Sequence, residues 1–217
     1  RKDDLGDDAV IVEMQYYDNP WFSNVLEGER QRDLKNLPYE EYLWIWEGHY
    51  RQISEAQIFR GKYRIDSFVV DESFGDPLHG LDWGFANDPT AAVRLYIKGN
   101  TLYVSNEAGK VGLELDDTAD YIKARIPDID KYTVRADSAR PESISYLKRH
   151  GLPRITGVQK GKGSVEDGID FIRSFDEVVI HSSCKEVANE FNKYSYKVDK
   201  RTEDILPVPV DAYNHYI

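Results

Sequence analysis

The chain has 217 residues, of which 41% are hydrophobic and 12% aromatic; this supports a real hydrophobic core and excludes a globally disordered chain. Its 39 acidic residues outnumber 28 basic ones, and the formal net charge of -11 argues against a simple DNA-coating module, which is normally basic. A nuclease is not excluded, because metal-binding carboxylates add negative charge themselves.

A single cysteine, Cys184, rules out a disulfide framework within the chain and fits a reducing compartment. No apolar run approaches the roughly 20 residues that a membrane helix needs. The first eight residues lack the apolar region of a signal peptide, and the chain begins without Met. We therefore expect an excised piece of a longer protein that is not secreted.

The first 60 residues predict a helical linker or appendage. A short strand is predicted over Ala9–Tyr17, followed by a helix with Asn19 at its cap and Pro20 in its first turn. A second helix is predicted to begin at Pro38 and to end at Gly48. Their aromatic residues recur at helical spacing, which is more typical of a core or a domain interface than of a ligand site.

From about residue 61 the pattern changes to alternating strands and helices. Three consecutive strands are predicted over Leu78–Trp83, Ala91–Ile97 and Thr101–Glu107, with a tight hairpin turn between the last two. An antiparallel trio followed by alternating elements predicts an α/β fold, with a mixed sheet flanked by helices. The later predicted strands are Thr133–Asp137, Arg154–Val158 and Val178–His181, and the predicted helices are Asp116–Arg125, Pro141–His150, Ser164–Phe175 and Cys184–Tyr194.

Asp82 and Asp137 each stand at the end of a predicted strand. If the two strands are neighbours, the carboxylates lie close together and repel each other, and divalent cations relieve that repulsion. Mg²⁺ prefers oxygen ligands and needs few of them from the protein. The pair is therefore a candidate for two-metal phosphodiester hydrolysis. The alternative is that each aspartate is only a turn or cap residue, which is common.

Four further residues are weaker candidates. Asp211 is either a metal ligand or the N-cap of a terminal helix, and Glu107 either joins the acidic cluster or is a solvated strand end. Asp88, next to Pro89, is expected to form a turn. His215, taken by itself, is more typical of a surface histidine.

A compact basic, glycine-rich tract is a candidate for binding DNA phosphates, because it follows a strand and opens a helix, whose N-terminus attracts anions. Its members are Lys160, Lys162 and the nearby Arg154. The alternative is a mobile surface loop. A second basic stretch, with Lys197 and Lys200, surrounds a predicted hairpin over 194–203. It either flanks DNA or keeps an edge strand soluble.

Four groups of residues occur in a fixed order along the chain. They are Gly80-Leu81-Asp82-Trp83-Gly84-Phe85 with Asn87-Asp88-Pro89-Thr90-Ala91, Ala136-Asp137-Ser138-Ala139 with Pro141-Glu142, the basic loop Lys160–Val165 with Gly168-Ile169, and Pro209–His215. Together, over roughly residues 70–217, they resemble the nuclease domain of tailed-bacteriophage large terminase subunits. The combination is specific, whereas any single motif would be a weak signal.

The resemblance implies an RNase H-like fold and a Mg²⁺- or Mn²⁺-dependent endonuclease that cuts concatemeric phage DNA during packaging. Asp82 and Asp137 match acidic metal ligands of the family, and His215 matches a catalytic histidine near the metals. The last acid of the family normally follows that histidine by three residues, and this sequence stops at Ile217. We expect either that this acid has been cut away, which would weaken metal binding and cleavage, or that Asp211 takes its place.

The resemblance also implies a domain organisation and partners. Residues 1–60 are similar to the tract that follows the terminase ATPase domain, missing here, and 61–217 to the nuclease domain. The implied partners are double-stranded DNA, the ATPase domain of the parent chain, the small terminase subunit and the portal protein, in the cytoplasm of the infected host. The isolated domain is expected to be monomeric. The alternative function is a catalytically silent docking or DNA-binding module, whereas a complete ATPase is disfavoured because no Walker A motif is present.

Overall fold

The computed structural model describes residues 14–37, 39–48, 56–159, 161–199, 202 and 204–217. The chain divides into two compact units, Arg1–Gln52 and Ile53–Ile217. This boundary precedes the predicted one at residue 60, because the segment after it pairs within the second unit: the amide of Ile58 donates to the carbonyl of Tyr194 at 3.0 Å. Among the described residues, no helix combines the length and apolarity needed to cross a membrane.

The described part of the first unit contains two α-helices, α1 (Asn24–Asn36) and α2 (Tyr39–Trp46). Helix α1 begins later than predicted, because the Ser23 side chain accepts the amide of Leu26 as the cap, whereas the Asn19 side chain accepts from Trp21 in a separate turn. Residues 16–18 form a short 3-10 turn where the end of a strand was predicted, and 9–13 lie outside the described residues. Pro38, the predicted start of α2, also lies outside them.

Seven strands of the second unit form one mixed sheet within the described residues, in the order β1-β7-β4-β3-β2-β5-β6. The trio β2, β3 and β4 is antiparallel, and the other neighbours are parallel. The predicted α/β class with a mixed sheet is therefore confirmed. The strands are β1 (Tyr63–Asp66), β2 (Leu78–Asp82), β3 (Pro89–Lys98), β4 (Thr101–Val111), β5 (Val134–Asp137), β6 (Ile155–Val158) and β7 (Glu177–His181).

Four helices flank the sheet, and a two-stranded hairpin follows the last of them. Their ends carry ordinary signals, such as Pro141 in the first turn of α4 and acidic residues in the first turn of α3. Residues 211–217 contain no helix, so the predicted terminal helix is wrong. The elements are α3 (Leu115–Arg125), α4 (Pro141–Arg149), α5 (Ser164–Ser174), α6 (Lys185–Lys193), β8 (Tyr196–Val198) and β9 (Ile205–Pro209).

A buried apolar cluster fixes β2 and β5 against α3 and α4. Leu81 of β2 and Ala136 of β5 expose 4% and 0% of their surface to solvent. Because a close-packed core resists displacement, the residue that follows each of them has a defined position. The other large members of the cluster are Ile122, Ile126, Ile129, Val134, Leu147, Leu152 and Ile155.

Candidate functional site

Asp82 and Asp137 end two neighbouring parallel strands. In the register of β2 and β5, Leu81 pairs with Ala136, and the two aspartates follow directly. Partners in a ladder point to the same face of a sheet and successive side chains alternate, so both carboxylates leave the face opposite the buried cluster. Neighbouring strands lie about 4.8 Å apart. The condition stated for the sequence, that the two strands are neighbours, is therefore met, and the two side chains leave the same face of the sheet.

Trp83 and a local turn hold the ends of these strands. The indole Nε1 of Trp83 donates to the backbone carbonyl of Asp137 at 2.7 Å, which ties β2 to β5 directly beyond their last paired residues. The Asp137 Oδ1 accepts the amide of Ala139 at 3.1 Å, so this aspartate also shapes a turn.

His215 lies between two carboxylates. Its Nδ1 is 3.4 Å from Oδ2 of Asp82, and its Nε2 is 3.3 Å from Oδ1 of Asp88. Ionised carboxylates only accept hydrogen bonds, so both contacts are favourable only when both ring nitrogens carry hydrogen. Asp88 was predicted only to form a turn, and its contact with the histidine was missed. The structure thus joins the first and last sequence motifs at one point.

The backbone of the His215 segment is anchored on helix α6. Glu190 accepts the amide of His215 at 3.1 Å and that of Tyr216 at 2.7 Å. Burial raises the pKa of this carboxyl group, against the opposing effect of the two amides and of the nearby imidazole. Sequence reasoning missed Glu190. The available signal was an acidic residue on the apolar face of α6, between the buried Val187 and Phe191.

Glu107 is an anchor for helix α6 in this structure. It lies on β4 opposite Val93 of β3, and its two oxygens accept the amides of Glu186 and Val187 in the first turn of the helix at 3.1 and 2.8 Å. Burial raises its pKa, while these amide bonds act in the opposite direction. Its predicted role as a metal ligand stays a prediction.

Asp211 is exposed in a bend after β9. It lines a cleft of about 710 Å³ together with Asp88, Glu190 and His215, whereas Asp82 and Asp137 do not line that cleft. No helix follows for Asp211 to cap. Within the described parts of the chain, no three His, Cys, Asp or Glu side chains are grouped closely enough to hold a metal ion. Asp211 as a ligand also stays a prediction.

The donor set at the strand ends fits a divalent cation. Mg²⁺ is commonly held through one or two carboxylates, with waters and substrate phosphates completing its shell, and Mn²⁺ accepts the same oxygen ligands. Asp82 and Asp137 supply two such carboxylates on one face.

The basic loop leaves the sheet at the same edge as the two aspartates. Val158, the last residue of β6, pairs with Asp137, and the chain then runs through the exposed Lys162 to Gly163, which precedes α5 with a φ of 87°. That left-handed conformation favours glycine. Lys162 therefore lies in the connection between the strand end next to Asp137 and a helix N-terminus.

The other predicted DNA-binding residues are placed differently. Arg154 is exposed and immediately precedes β6, whereas the basic loop follows the last residue of that strand. Arg154 is therefore close to the loop in sequence but lies at the opposite end of the strand. Lys197 is exposed on β8, in the separate hairpin. Lys160 and Lys200 lie outside the described residues.

Comparison with known proteins places this arrangement in context. The SPP1 "Terminase, large subunit" (Bacillus phage SPP1) is 30% identical over 213 residues, which cover 93% of this chain and 48% of that protein. The chain thus spans about half the length of this relative. The solved nuclease domain of the g2p large terminase from bacteriophage SPP1, with bound Mn, is 31% identical, with a TM-score of 0.63 over 71% of this chain and 90% of that one.

A more distant structure shares the fold. The large terminase of a thermophilic bacteriophage is 16% identical, with a TM-score of 0.56 over 94% of this chain and 52% of that chain. The family described as Terminase RNAseH like domain matches residues 82–217, which begin at the first strand-end aspartate and include the second and His215. The mixed sheet is thus RNase H-like, and the chain belongs to the terminase RNase H-like domain family.

Proposed function

We propose that this chain is the metal-dependent DNA endonuclease domain of a phage DNA-packaging terminase, cutting concatemeric DNA by two-metal phosphodiester hydrolysis. The observation that carries the proposal is the register of β2 and β5, which sets Asp82 and Asp137 side by side with His215 against Asp82. The bound Mn of the SPP1 nuclease domain, which is 31% identical, supports a divalent cation as the cofactor of this chain.

The chain's own residues divide the work. Asp82 and Asp137 bind and orient divalent cations, Mg²⁺ or Mn²⁺, at the strand ends. Such cations, when bound, activate water and neutralise charge on the phosphate oxygens. His215 contacts the Asp82 carboxylate through Nδ1 and helps to hold it in place. Trp83 keeps the two strand ends together.

DNA is proposed to approach along the edge of the sheet that carries the strand ends. Lys162 and the amides at the start of α5 are available there to contact phosphates without reading sequence. The net charge of -11 makes such local basic contacts necessary, since the chain as a whole repels a polyanion. Lys160, Lys197 and Lys200 are proposed as additional phosphate contacts.

The wider setting is also a proposal. In the parent protein, the ATPase domain would precede this chain, and the small terminase subunit and the portal protein would be its partners. Residues 1–60 would then connect the motor to the nuclease, in the cytoplasm of the infected bacterium. The 30% identity with the SPP1 large subunit over 213 residues supports this assignment.

The test is cleavage of supercoiled plasmid by the 217-residue protein with Mn²⁺ or Mg²⁺, and with the metal chelated. Asp82→Asn and Asp137→Asn preserve shape and remove a charge, and each is expected to lower the rate by about 100-fold or more. Asp120→Asn is the matched control, because Asp120 is an exposed aspartate of α3 that pairs with Lys123 along the helix. Its cleavage is expected to equal that of the parent sequence.

Binding of Mn²⁺, followed by calorimetry, separates the possible outcomes. Loss of both binding and cleavage in the two strand-end variants supports the proposal. Unchanged cleavage in Asp82→Asn would refute the ligand role. DNA binding without any metal-dependent cutting would favour the catalytically silent docking module instead.

A further inference from the structure

We propose that Glu190 is a positioning residue: it docks residues 214–217 onto the sheet and thereby sets the approach of His215 to Asp82. Its effect on catalysis rests on the function proposed above, whereas the docking itself does not. The two oxygens of this one carboxylate accept two successive backbone amides, those of His215 and Tyr216, at 3.1 and 2.7 Å.

The backbone before these amides has an uncommon conformation. In an extended chain successive amides point to opposite sides, so a turn is needed to aim both at one carboxylate. The chain bends at His215, whose own backbone torsions set the angle between these two amides, and Tyr213, two residues earlier, has a φ of 59°, in the left-handed region. For a residue other than glycine the left-handed conformation is unfavourable. Such a conformation persists only where the surrounding structure enforces it.

The same two hydrogen bonds also stabilise the buried carboxylate of Glu190. Glu190 exposes 5% of its surface. Among the residues that the structure describes, no lysine or arginine forms an ion pair with it. Burying a charge is costly unless hydrogen bonds compensate it. The two amides provide that compensation, with the imidazole of His215 as the nearby electrostatic partner.

The opposite side of the segment is fixed by shape. Tyr216 is 8% exposed, and its hydroxyl lies against Gly109 of β4, where an added Cβ atom would be 1.6 Å from the Tyr216 oxygen. Only glycine leaves room for this contact. Helix α6, which carries Glu190, is itself held to β4 by Glu107 two residues earlier on that strand. The segment is thus clamped between α6 and the backbone of β4.

The clamp determines where His215 can reach. Its backbone amide is held by Glu190, and from that point its ring contacts Asp82 at 3.4 Å and Asp88 at 3.3 Å. A misplaced side chain loses catalytic contacts quickly, because rates depend on orientation at the ångström scale. Loss of the anchor is therefore expected to lower kcat while leaving KM for DNA almost unchanged.

The experiment compares two variants on the same helix. Glu190→Gln offers one acceptor oxygen to two amides and turns its own N–H₂ group toward one of them. Glu186→Gln makes the same charge change at an exposed position of α6. Hydrogen exchange of the His215 and Tyr216 amides is measured in the 217-residue protein without metal or DNA. We expect exchange about 10-fold faster or more in Glu190→Gln and unchanged exchange in Glu186→Gln.

Cleavage kinetics provide the second readout. The expected result is a drop of about 10-fold or more in kcat for Glu190→Gln, with KM and the far-UV circular dichroism as in the parent sequence. Amide exchange at residues 215 and 216 that matches the parent sequence in a folded Glu190→Gln variant would overturn the proposal. If that variant does not fold, the same measurements are made on Glu190→Asp, which keeps the charge but places it one methylene further from the amides. Amide exchange that matches the parent sequence in this variant would likewise overturn the proposal.

The two proposals fail separately. If the parent sequence neither binds Mn²⁺ nor cuts DNA, the nuclease assignment fails, and the exchange of the two amides still decides the role of Glu190. If the parent sequence cuts DNA but the two amides exchange as slowly in Glu190→Gln as in the parent sequence, the nuclease assignment stands and the positioning role is rejected.

Discussion

The indole N–H of Trp83 donates a 2.7 Å hydrogen bond to the backbone carbonyl of Asp137, 54 residues away in sequence. The bond joins the residue after one candidate ligand to the other candidate ligand. It therefore fixes the separation of the two carboxylates more directly than the strand pairing alone, which ends at Leu81 and Ala136. The ring itself packs against the buried cluster.

Trp83→Phe removes this donor while retaining an aromatic ring against the cluster. We expect the affinity for Mn²⁺ to fall by about 10-fold, the range typical of groups that orient metal ligands. The stability should fall by only about 1 kcal/mol, as for a single hydrogen bond. Calorimetric Mn²⁺ titration and thermal unfolding measure the two effects. Trp21→Phe, at an indole that is 84% exposed, is the control, and equal Mn²⁺ affinity in both variants would contradict the expectation.

Gly84→Ala tests the close packing of the loop after β2. An added Cβ atom would lie 2.2 Å from the carbonyl oxygen of Asp88 and 2.4 Å from that of Pro89, so backbone must move. We expect a loss of about 1–3 kcal/mol in the free energy of unfolding, and displacement of Asp88 from His215. Urea unfolding gives the first quantity, and the chemical shifts of the His215 ring give the second.

The matched control for this change is Gly80→Ala, on β2 just before the loop. There the added atom meets only Cγ2 of Val93, at the ordinary contact distance of 3.6 Å. The Gly80 variant should retain the unfolding midpoint of the parent sequence within experimental scatter. An equal loss of stability in both variants would show that the sheet, and not the loop, is sensitive to added volume.

His79 predicts how stability depends on pH. It is 3% exposed on β2, and its Nε2 accepts a 3.0 Å bond from Nε of Arg94. Burial first, and then the charge of Arg94, lower its pKa from 6.5 to about 4. Between these two pH values the imidazole of His79 is protonated in the unfolded chain and neutral in the folded chain. The contribution of His79 to the free energy of unfolding is therefore fully present above pH 6.5, the pKa of the unfolded state. It is lost as the pH falls toward about 4, by roughly 3 kcal/mol in total.

Urea unfolding between about pH 7 and about pH 4.5 checks this dependence. The free energy of unfolding should fall more steeply for the parent sequence than for His79→Gln, which keeps an acceptor for Arg94 but does not titrate. Because other carboxylates contribute equally to both proteins, the difference isolates the histidine. Parallel curves would contradict the expectation.

Cys184 predicts a thiol that is unreactive in the folded protein. It is 1% exposed, and burial together with the charge of Glu107 raises its pKa to about 12. Since the thiolate is the reactive form, a disulfide reagent at about pH 8 should label the folded protein at least about 100-fold more slowly than the urea-unfolded protein. Absorbance of the released thiol measures both rates. Comparable rates would show that the start of α6 opens readily.

The central part of the fold could be predicted because its signals are local. The apolar alternation of β2, β3 and β4 and the turn around Gly99, with a φ of 62°, agree with the observed hairpin. Asp82 and Asp137 could be placed at strand ends for the same reason. Their adjacency could only be expected as a possibility, since parallel pairing of β2 with β5 depends on packing across more than fifty residues.

The features that the sequence did not predict have two causes. Either two local signals compete, or the residue's partner lies far away in the sequence. Asn19-Pro20 and Ser23 are both acceptable helix starts, and the structure uses the second. The contact of Glu107 with helix α6 was missed because its amide partners lie 79 and 80 residues further on, while its predicted role as a metal ligand stays a prediction. Arg154 is close to the basic loop in sequence, yet the length of β6 separates them.

The contact of His215 with Asp82 bridges 133 positions of the chain. Contacts of such long sequence separation form late, because the entropy of closing a large loop must be overcome first. We therefore expect the sheet to be established before the imidazole arrives. A newly made copy of this chain would pass through a stage in which the sheet is folded but His215 has not yet reached Asp82.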